Sequence, residues 1–437
     1  MTLLEDASGF TGSADELFTP ESEEQVCALL RQASRQGIAV TVCGSRTGLT
    51  GGCIPDGGWE ISLEKLQTLE IAPGRARAGA GVTLDRLRSE AGRSGQFYAP
   101  DPTEWTASVG GTIATNASGS RSFRYGSTRR HVLALRVAFI DGTVRAFRRG
   151  DPVDFPVASI PLPQTTKNTA GYLLQPGMQW IDLMAGSEGT LGVVLEAELQ
   201  LFPKPADLLS GVVFFAGDEE ALRAVSQWRS LPRLNMIEYF DQRSLHMLKP
   251  RNPEIPDRAR AALFIEQEDG DVDFWADRVK DDSWFAAGDQ DRERLRRFRH
   301  SLPELVNDTM RRRGFLKLGS DFAVPLDRNC EMLAFYHERL RALDYVIFGH
   351  IGDAHVHVNI LPESAKDFEA GKALLNEFAA HAVSLGGTVS AEHGLGKRKA
   401  HLLALQYTPE QIQAMQAVKR RLDPHWLLNR GNLFPCA

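Results

Sequence analysis

The sequence has few cysteines, no long apolar segment and no strong excess of one charge. Its five cysteines, at positions 27, 43, 53, 330 and 436, show no CxxC spacing, which argues against a disulfide framework and fits a reducing compartment. The N-terminus is acidic, and no run of about twenty apolar residues occurs, so we expect neither a signal peptide nor a transmembrane segment. The net charge of −6 gives no indication of nucleic-acid binding. These absences favour a cytoplasmic protein and leave peripheral contact with a membrane open.

Length and composition predict a globular chain with more than one domain. A chain of 437 residues is longer than one hydrophobic core usually supports. Hydrophobic residues make up 43% of the sequence and charged residues 24%, which is ordinary for a soluble globular protein. The segment Pro203–Pro205, with a proline on each side of a lysine, marks an expected domain boundary.

The histidines are concentrated in one short segment. Three of the eleven lie within eight residues, between His350 and His357. In an extended strand alternate side chains point to the same face, so His355, His357 and Asn359 are expected to share a face. A hydrogen-bonded sheet face without a metal is the alternative interpretation. The pair Glu392–His393 adds a carboxylate and another imidazole, the ligand types that zinc prefers, so we expect the two clusters to converge on a divalent cation.

A glycine-rich loop follows the first predicted helix and strand. The pattern predicts a helix from Pro20 or Ser22 to Gly37 and a buried strand over Ile38–Cys43 that runs into Gly44–Gly52. Glycines allow close approach of the backbone, and consecutive amides form a concavity that binds anions. The spacing matches neither a P-loop nor a GxGxxG fingerprint. A glycine-rich hairpin turn is the alternative to a phosphate-binding loop.

Two further segments favour the ligand-binding interpretation of that loop. Residues Pro100–Gly119 are small, polar and poor in bulky side chains, which suits the lining of an extended ligand by amides and hydroxyls. A third glycine-rich turn, Gly186–Gly192, leads into a clearly alternating strand over Val193–Phe202. Later patterns predict an amphipathic helix around Arg292–Arg299, a strand over 345–361 and two helices at 364–385 and 409–421.

Taken together, the motifs resemble those of a known flavoprotein family. The chain resembles the FAD-linked oxidases and dehydrogenases of the vanillyl-alcohol oxidase superfamily, whose FAD-binding domain is of the PCMH type. Within it, the resemblance is to the D-2-hydroxy-acid dehydrogenase branch, which includes D-lactate dehydrogenase, D-2-hydroxyglutarate dehydrogenase and the glycolate oxidase flavin subunit. The matching motifs are Gly44–Gly52, Pro100–Gly119, Lys167–Tyr172, Gly186–Gly192, His350–Asn359, Glu392–Gly396 and Asn429–Phe434.

The resemblance implies an α+β fold with two domains. It assigns residues 1–205 to a PCMH-type FAD-binding domain, 206–400 to an α+β substrate-binding cap of the FAD-linked oxidase C-terminal type with the metal site, and 401–437 to a segment that returns to the FAD domain. FAD would be bound non-covalently, because no histidine aligns with the known flavin-linking sites. The implied FAD contacts are Gly44, Ser45, Arg46, Thr47, Gly48, Gly51, Gly52, Pro100, Thr106, Ser108, Gly110, Gly111, Thr115, Asn116, Ser118, Gly119, Gly186, Glu188, Gly189, Gly192, Val193 and Asn429.

The resemblance also implies roles for residues in the second half of the chain. The implied ligands of a divalent metal, zinc by preference, are His350, His357 and Glu392. The implied catalytic residues are His393 as the base, Asn359 as a substrate contact, and Arg299 and Lys317 as the cations that hold the substrate carboxylate. For the two cations, an ordinary structural role is the alternative.

Three positions depart from the family pattern. His355 stands where several relatives carry a small polar residue, so it could be an extra metal ligand or a neighbour of the ligands. Pro303 stands where some relatives place a hydroxyl that helps to bind substrate, which disfavours a larger dicarboxylate. Arg430 replaces a common proline in the tail.

The activity implied by the resemblance is FAD-dependent, metal-assisted oxidation of a D-2-hydroxy acid such as D-lactate to the 2-oxo acid, with hydride transfer to the flavin. The alternatives are a flavin oxidoreductase of the same fold that acts on another alcohol or a sugar lactone, a non-flavin metal hydrolase, and a non-catalytic subunit of a larger oxidase. The expected partners are a small hydroxy acid and an unidentified electron acceptor, with no nucleic acid. A homodimer is left open.

Overall fold

The structure is a computed structural model that describes residues 2–279 and 282–435. Its strands are β1 (Thr2–Glu5), β2 (Thr11–Ala14), β3 (Glu16–Phe18), β4 (Val40–Cys43), β5 (Trp59–Ser62), β6 (Leu69–Ala72), β7 (Arg75–Gly79), β8 (Gln96–Phe97), β9 (Val132–Ala138), β10 (Val144–Arg148), β11 (Val193–Gln200), β12 (Phe202–Pro203), β13 (Leu208–Phe215), β14 (Leu234–Asp241), β15 (Ala261–Glu268), β16 (Trp284–Ala286), β17 (Leu318–Gly319), β18 (Tyr345–Gly349) and β19 (His357–Ile360). Its α-helices are α1 (Glu23–Gln36), α2 (Leu84–Arg93), α3 (Val109–Thr115), α4 (Ser122–Tyr125), α5 (Thr128–His131), α6 (Trp180–Met184), α7 (Asp218–Trp228), α8 (Gln242–Leu248), α9 (Val272–Ala276), α10 (Asp289–Arg313), α11 (Asn329–Arg339), α12 (Ala365–Ser384), α13 (Leu403–Gln406) and α14 (Pro409–Leu422). Short 3-10 helices span Leu326–Arg328, Ile351–Asp353 and Ala400–Leu402.

Two sheets in the first half of the chain support the glycine-rich segments. Strands β3, β5 and β4 form a parallel sheet, and β10, β9, β11, β7 and β6 form an antiparallel one. The predicted first helix is confirmed as α1: the Ser22 side chain caps its N-terminus, and Gly37, with φ of 67°, follows its last residue. The predicted strand after it is confirmed as β4, which leads directly into the Gly44–Gly52 loop.

A seven-stranded antiparallel sheet dominates the second half. Its strand order is β16-β13-β15-β14-β18-β19-β17. One face packs against α8 and α10 through a core that includes Phe214, Met236, Phe240, Leu302 and Val306. Residues of the opposite face, such as Ile237 and Tyr239, belong to the main core together with α7 and α11. The predicted α+β class is therefore confirmed, while the predicted boundaries at residues 205 and 400 stay predictions.

The single strand predicted over residues 345–361 is wrong. The structure has two antiparallel strands there, β18 and β19, joined by the 3-10 helix Ile351–Asp353. The chain reverses because Gly349 has φ of 132° and Ala354 has φ of 50°, and neither angle belongs to a continuous strand. The histidines at the two ends of this segment therefore face each other across a hairpin.

Three helices predicted from the sequence pattern are confirmed. Helices α12 and α14 occupy the two predicted late helical segments, and the arginine-rich helix is the first half of α10. Cys27, Cys43, Cys53 and Cys330 are free thiols, and Cys436 lies outside the described residues. None of the helices that the structure describes is long and apolar enough to cross a membrane.

The C-terminal segment packs against the first half of the chain. The amide of Val40 donates to the carbonyl of Leu427, and the amide of Asn429 donates to the carbonyl of Val40, both at 2.8 Å. Lys419 of α14 is a buried contact of this segment. Its side chain is 2% exposed, and its Nζ lies 2.6 Å from Oδ2 of Asp423. Its ammonium group also donates to the carbonyl of Thr190 at 2.6 Å.

We expect Lys419→Met to lower the free energy of unfolding by about 3–5 kcal/mol, because removal of one partner leaves the other charge buried and unpaired. Urea unfolding at pH 7 measures this change. Lys372→Met is the control, since Lys372 is 52% exposed beside Glu369 and such a change is usually within about 0.5 kcal/mol. A loss below about 1 kcal/mol for Lys419→Met would show that the Lys419 pair contributes no more than an exposed one.

Candidate active site and metal centre

His350 leaves the end of β18 and meets a carboxylate on each side. Its Nδ1 lies 2.5 Å from Oε1 of Glu238, which belongs to the neighbouring strand β14. Its Nε2 lies 2.9 Å from Oε1 of Glu392. Gly349 has to be glycine, because a Cβ there would come within 2.9 Å of the His357 ring in a backbone conformation of φ 132°. This residue allows the two histidines to approach each other.

His357 opens β19 and presents Nε2 to the same carboxylate oxygen. The Nε2 atom lies 3.3 Å from Oε1 of Glu392. The other nitrogen, Nδ1, lies 3.2 Å from the carbonyl oxygen of Ser320, so it carries the proton that this carbonyl accepts. That hydrogen bond fixes the tautomer and leaves the Nε2 lone pair free for a metal ion.

The two oxygens of Glu392 have different surroundings. Oε1 faces the Nε2 atoms of His350 and His357. Oε2 accepts hydrogen bonds from Oγ of Ser118 at 2.9 Å, from the amide of Gly119 at 2.9 Å and from Nζ of Lys167 at 3.1 Å. One oxygen is therefore directed towards the histidines, and the other is held by residues from the first half of the chain.

This geometry fits a tetrahedral metal site. The ligand atoms of His350, His355, His357 and Glu392 all lie within 4.8 Å of one another. Ligands at about 2.0–2.1 Å from zinc, at tetrahedral angles, lie about 3.3 Å apart, which compares with 2.9 and 3.3 Å between Glu392 and the two histidines. Three protein ligands with one open position are typical of catalytic zinc.

The charges of the cluster compensate one another. Burial alone would lower the pKa of His350, but Glu238 and Glu392 raise it to about 9. Burial opposes the ionisation of both carboxylates, yet His350 and Arg299 lower the pKa of Glu238 to about 2. His350 and Lys167 hold the pKa of Glu392 well below its ordinary value. Binding of a metal ion at Nε2 would therefore release the proton from His350.

His393 lies at the open side of the cluster, and Asp321 orients it. The His393 ring stacks on His357, with ring centroids 5.1 Å apart and an interplanar angle of 8°. Its Nδ1 lies 3.5 Å from Oδ1 of Asp321, and its side chain is 23% exposed. Burial lowers the pKa of His393 to about 4 against the opposing effect of Asp321. Asp321 also accepts the backbone amide of His393 at 2.9 Å, so one buried carboxylate fixes both the backbone and the ring.

His355 is fully buried, and both of its nitrogens face other protein groups. Its Nδ1 lies 3.4 Å from Nζ of Lys167, and its Nε2 lies 3.1 Å from Oδ1 of Asp321. Burial lowers the pKa of His355 to about 3. These contacts place His355 behind the ligands and favour its role as their neighbour.

The three other predicted catalytic residues, Arg299, Lys317 and Asn359, occupy different positions relative to the cluster. Arg299 donates from Nε at 3.1 Å and from Nη2 at 2.9 Å to Oε2 of Glu238, so it reaches His350 through that carboxylate. Lys317 precedes β17, the edge strand that pairs with β19 at Asn359. Asn359 is buried two residues after His357, on the same face of β19.

Lys317 is a cation without a carboxylate partner among the residues that the structure describes. Burial and the neighbouring Lys399 lower its pKa to about 8. Arg299 borders a cavity of about 430 Å³ between the two halves of the chain. No described contact joins Arg299 to Lys317.

The predicted cofactor segments converge in the first half. The Gly44–Gly52 loop packs against the start of α3, where a Cβ on Gly44 would collide with the Ser108 side chain. The amide of Gly186 donates to the carbonyl of Ile113 at 2.9 Å. The side-chain amide of Asn429 donates to the carbonyl of Gly52 at 3.3 Å and to that of Glu188 at 3.2 Å.

This convergence fits an extended dinucleotide cofactor. Four segments far apart in the sequence present amides and hydroxyls to one region, and Gly48 has no atom within 4 Å of the position that a Cβ would take. An open glycine backbone allows close approach of a pyrophosphate. When bound, FAD would be held by Gly44–Gly52, Ser108–Asn116, Gly186–Val193 and Asn429.

Five of the predicted FAD contacts are engaged elsewhere. Thr106 is exposed, and its hydroxyl donates to Glu104 at 2.6 Å. The Arg46 guanidinium forms an ion pair with Glu60. Glu188 accepts the amides of Leu395 and Gly396, both at 2.7 Å, and so fixes the loop that follows His393. Ser118 and Gly119 donate hydrogen bonds to Oε2 of Glu392.

Three residues at the site escaped sequence analysis. Glu238 is a charged residue within the otherwise apolar run Met236–Phe240. This interruption of the run is the one feature of the sequence that could have indicated a functional role for Glu238. Lys167 opens a motif that supported the resemblance, without any role being assigned to it. Asp321 has no distinctive neighbours, and no pattern in the sequence marks it.

Comparison with protein-family models matches both halves of the chain. Residues 204–433 match the model described as FAD linked oxidases, C-terminal domain, and residues 14–148 match the model described as FAD binding domain. Among solved structures, alkyldihydroxyacetonephosphate synthase superposes with a TM-score of 0.63 over 94% of this chain and 75% of that chain, at 16% identity. This likeness supports the fold alone.

Curated relatives match over nearly the whole length. D-lactate dehydrogenase of Archaeoglobus fulgidus is 32% identical over 95% of this chain and 90% of the relative. D-2-hydroxyglutarate dehydrogenase of Xanthomonas citri pv. viticola is 29% identical over 95% and 88%, and the glycolate oxidase subunit GlcD of Bacillus subtilis is 29% identical over 96% and 89%. The chain therefore belongs to the FAD-linked oxidases, as an FAD-dependent oxidoreductase of the D-lactate, D-2-hydroxyglutarate and glycolate group.

Proposed function

We propose that the protein oxidises a short D-2-hydroxy acid, such as D-lactate, to the 2-oxo acid. Flavin is the hydride acceptor in this proposal, and a divalent cation, zinc by preference, is held by His350, His357 and Glu392. The observation that carries it is the placement of two histidine Nε2 atoms at 2.9 and 3.3 Å from one oxygen of Glu392, with His393 stacked beside them.

The bound metal would supply a Lewis acid for the hydroxyl and carboxylate oxygens of the substrate, and FAD would supply the hydride acceptor. The chain supplies the proton acceptor, which is Nε2 of His393. Asp321 lies 3.5 Å from Nδ1 of that ring, and Nε2 lies 4.0 Å from Oε1 of Glu392, so Nε2 faces the proposed metal ligands. The three-ligand site, its open position and this oriented imidazole support removal of the hydroxyl proton.

The substrate carboxylate would be held by Lys317, with Arg299 and Asn359 as further contacts. Lys317 has no carboxylate partner among the described side chains, and the carboxylate of a hydroxy acid would provide one. Arg299 has five N–H donors, and Glu238 accepts from only two of its nitrogens. Pro303, one turn beyond Arg299 in α10, offers no hydroxyl for a second carboxylate, which supports a monocarboxylate.

Anaerobic mixing with candidate substrates tests the proposed activity. The flavin absorbance of the purified protein should bleach with D-lactate or glycolate, and more slowly with D-malate or D-2-hydroxyglutarate. A simple alcohol and a sugar lactone are tested in parallel, because the alternative function of the same fold is oxidation of another alcohol or of a lactone. Bleaching only by the lactone or the alcohol would reject oxidation of a hydroxy acid.

We expect Lys317→Met to raise the KM for the hydroxy acid by about 10–100-fold, because a hydrogen bond to a charged group contributes about 1.5–3 kcal/mol. The thermal midpoint should not fall, since the variant removes a cation that no described carboxylate neutralises. Steady-state kinetics with an artificial dye as electron acceptor measure the change, and Lys372→Met is the matched control. An unchanged KM would assign Lys317 to the structure rather than to the substrate.

A further inference from the structure

Lys167 is a buried lysine at the metal centre that the proposed mechanism does not use. Its side chain is 2% exposed, and Nζ lies 3.1 Å from Oε2 of Glu392 and 3.6 Å from Oδ2 of Asp353. It also donates to the carbonyl of Gly119 at 3.2 Å and faces Nδ1 of His355 at 3.4 Å. A fully buried lysine is rare unless it is paired, and here the pairing includes a proposed metal ligand.

Oε2 of Glu392 accepts hydrogen bonds from two neutral donors and one charged donor. Ser118, Gly119 and Lys167 all donate to Oε2, so the orientation of the carboxylate has three supports. The hydroxyl and the amide are neutral, whereas the lysine brings a full positive charge. Removing the lysine would leave two of the three hydrogen bonds in place but would remove this charge.

The positive charge of Lys167 and a bound metal ion would lie on opposite sides of the Glu392 carboxylate. Oε1 faces the histidine nitrogens while Oε2 faces the ammonium, so a bound divalent cation and Nζ would share one anionic ligand. Two like charges a few ångströms apart inside a protein repel strongly, because the local dielectric is low. An ammonium that withdraws electron density from Oε2 also makes Oε1 a weaker donor.

We propose that Lys167 sets the strength of the metal site: it holds Oε2 of Glu392, so that the metal receives one weakened oxygen donor and is bound less tightly than the ligand set alone would allow. A metal with a weaker anionic ligand retains more positive charge for the substrate oxygens. Lys167 is thus a positioning residue that moderates metal affinity. This inference rests on the proposed metal site and not on the identity of the substrate.

Three substitutions separate charge from hydrogen bonding. Lys167→Met removes both, Lys167→Gln keeps a donor without the charge, and Lys167→Arg keeps the charge. The metal-free flavoprotein, with FAD retained, is titrated with Zn²⁺ at fixed pH in competition with a chromophoric chelator. The Met and Gln variants should bind Zn²⁺ at least about tenfold more tightly than the wild type, given the Coulomb repulsion they relieve. The Arg variant should bind like the wild type.

Controls distinguish this effect from general destabilisation. Lys419→Met removes another buried lysine, the one paired with Asp423 at 2.6 Å, and should leave the Zn²⁺ affinity unchanged while lowering stability. Ser118→Ala removes a neutral donor to Oε2 and should change the affinity by no more than a few-fold. Co²⁺ absorption spectra report whether Glu392 becomes bidentate when Lys167 is replaced.

Equal or weaker Zn²⁺ binding by Lys167→Gln and Lys167→Met would overturn the inference, as would a wild type that binds no Zn²⁺. A tenfold gain in Lys419→Met would also overturn it, because the effect would then not be local. If Lys167→Met does not fold, the comparison of Lys167→Gln with Lys167→Arg decides. Should the affinities follow the expectation while no hydroxy acid bleaches the flavin, the proposed function fails and the inference stands.

Discussion

Replacing His393 with alanine should slow the reduction of the flavin by a 2-hydroxy acid by about 10²–10⁴-fold, the usual contribution of a positioned base. The imidazole stacks on His357. Its Nε2 lies 4.0 Å from Oε1 of Glu392, which is beyond hydrogen-bond distance. The three proposed metal ligands therefore remain in the variant. We expect FAD and metal to stay bound at wild-type stoichiometry while the reaction slows.

Stopped-flow absorbance under anaerobic conditions measures this rate, and elemental analysis measures the metal. His401→Ala is a suitable control, because His401 bonds to Asn376 at the surface and takes no part in the site. Asp321→Asn should give a smaller loss and a changed pH profile, since it disturbs the orientation of His393 without removing the ring. Reduction of the His393→Ala flavin at the wild-type rate would reject the base assignment.

Replacing Glu392 with glutamine should weaken metal binding by about 10²–10³-fold and, with it, slow flavin reduction. Structural zinc held by four ligands is bound with about 10–16 kcal/mol, so one ligand contributes about 2.5–4 kcal/mol on average, which is about 10²–10³-fold in affinity. The variant also removes the charge that faces His350 at 2.9 Å and Lys167 at 3.1 Å. Two buried cations then lose a shared partner, which adds a cost in stability.

Treatment of the wild type with a strong chelator should reproduce the loss, and added Zn²⁺ should restore the rate in the wild type but not in the variant. Glu198→Gln is the matched control, because Glu198 pairs with Arg75 on a sheet surface in the first half, away from the metal ligands. Wild-type metal content in Glu392→Gln would remove this residue from the ligand set. Wild-type rates after complete metal removal would show that the metal has no part in the reaction.

The sequence predicted the elements that depend on local patterns. Ser22 and Gly37 bracket α1 as cap residues, and the apolar run before Gly44 forms β4, because capping and periodicity act over a few residues. The hairpin between β18 and β19 escaped prediction. Its reversal depends on left-handed and extended-glycine backbone angles at Ala354 and Gly349, which no alternation of polar and apolar residues reveals.

The sequence by itself determined which residue types are available: the glycine-rich segments, the histidine cluster and the pair Glu392–His393. Only the tertiary structure decided how they are partnered. Glu238 and His350 are 112 residues apart, and Ser118 and Glu392 are 274 apart, yet each pair is within hydrogen-bond distance. The first contact arises from the pairing of β14 with β18, and the second arises when the sheet of the second half docks against the first half. Because docking depends on the whole packed core rather than on neighbours in the chain, no local pattern encodes which oxygen of Glu392 faces the histidines and which faces Lys167.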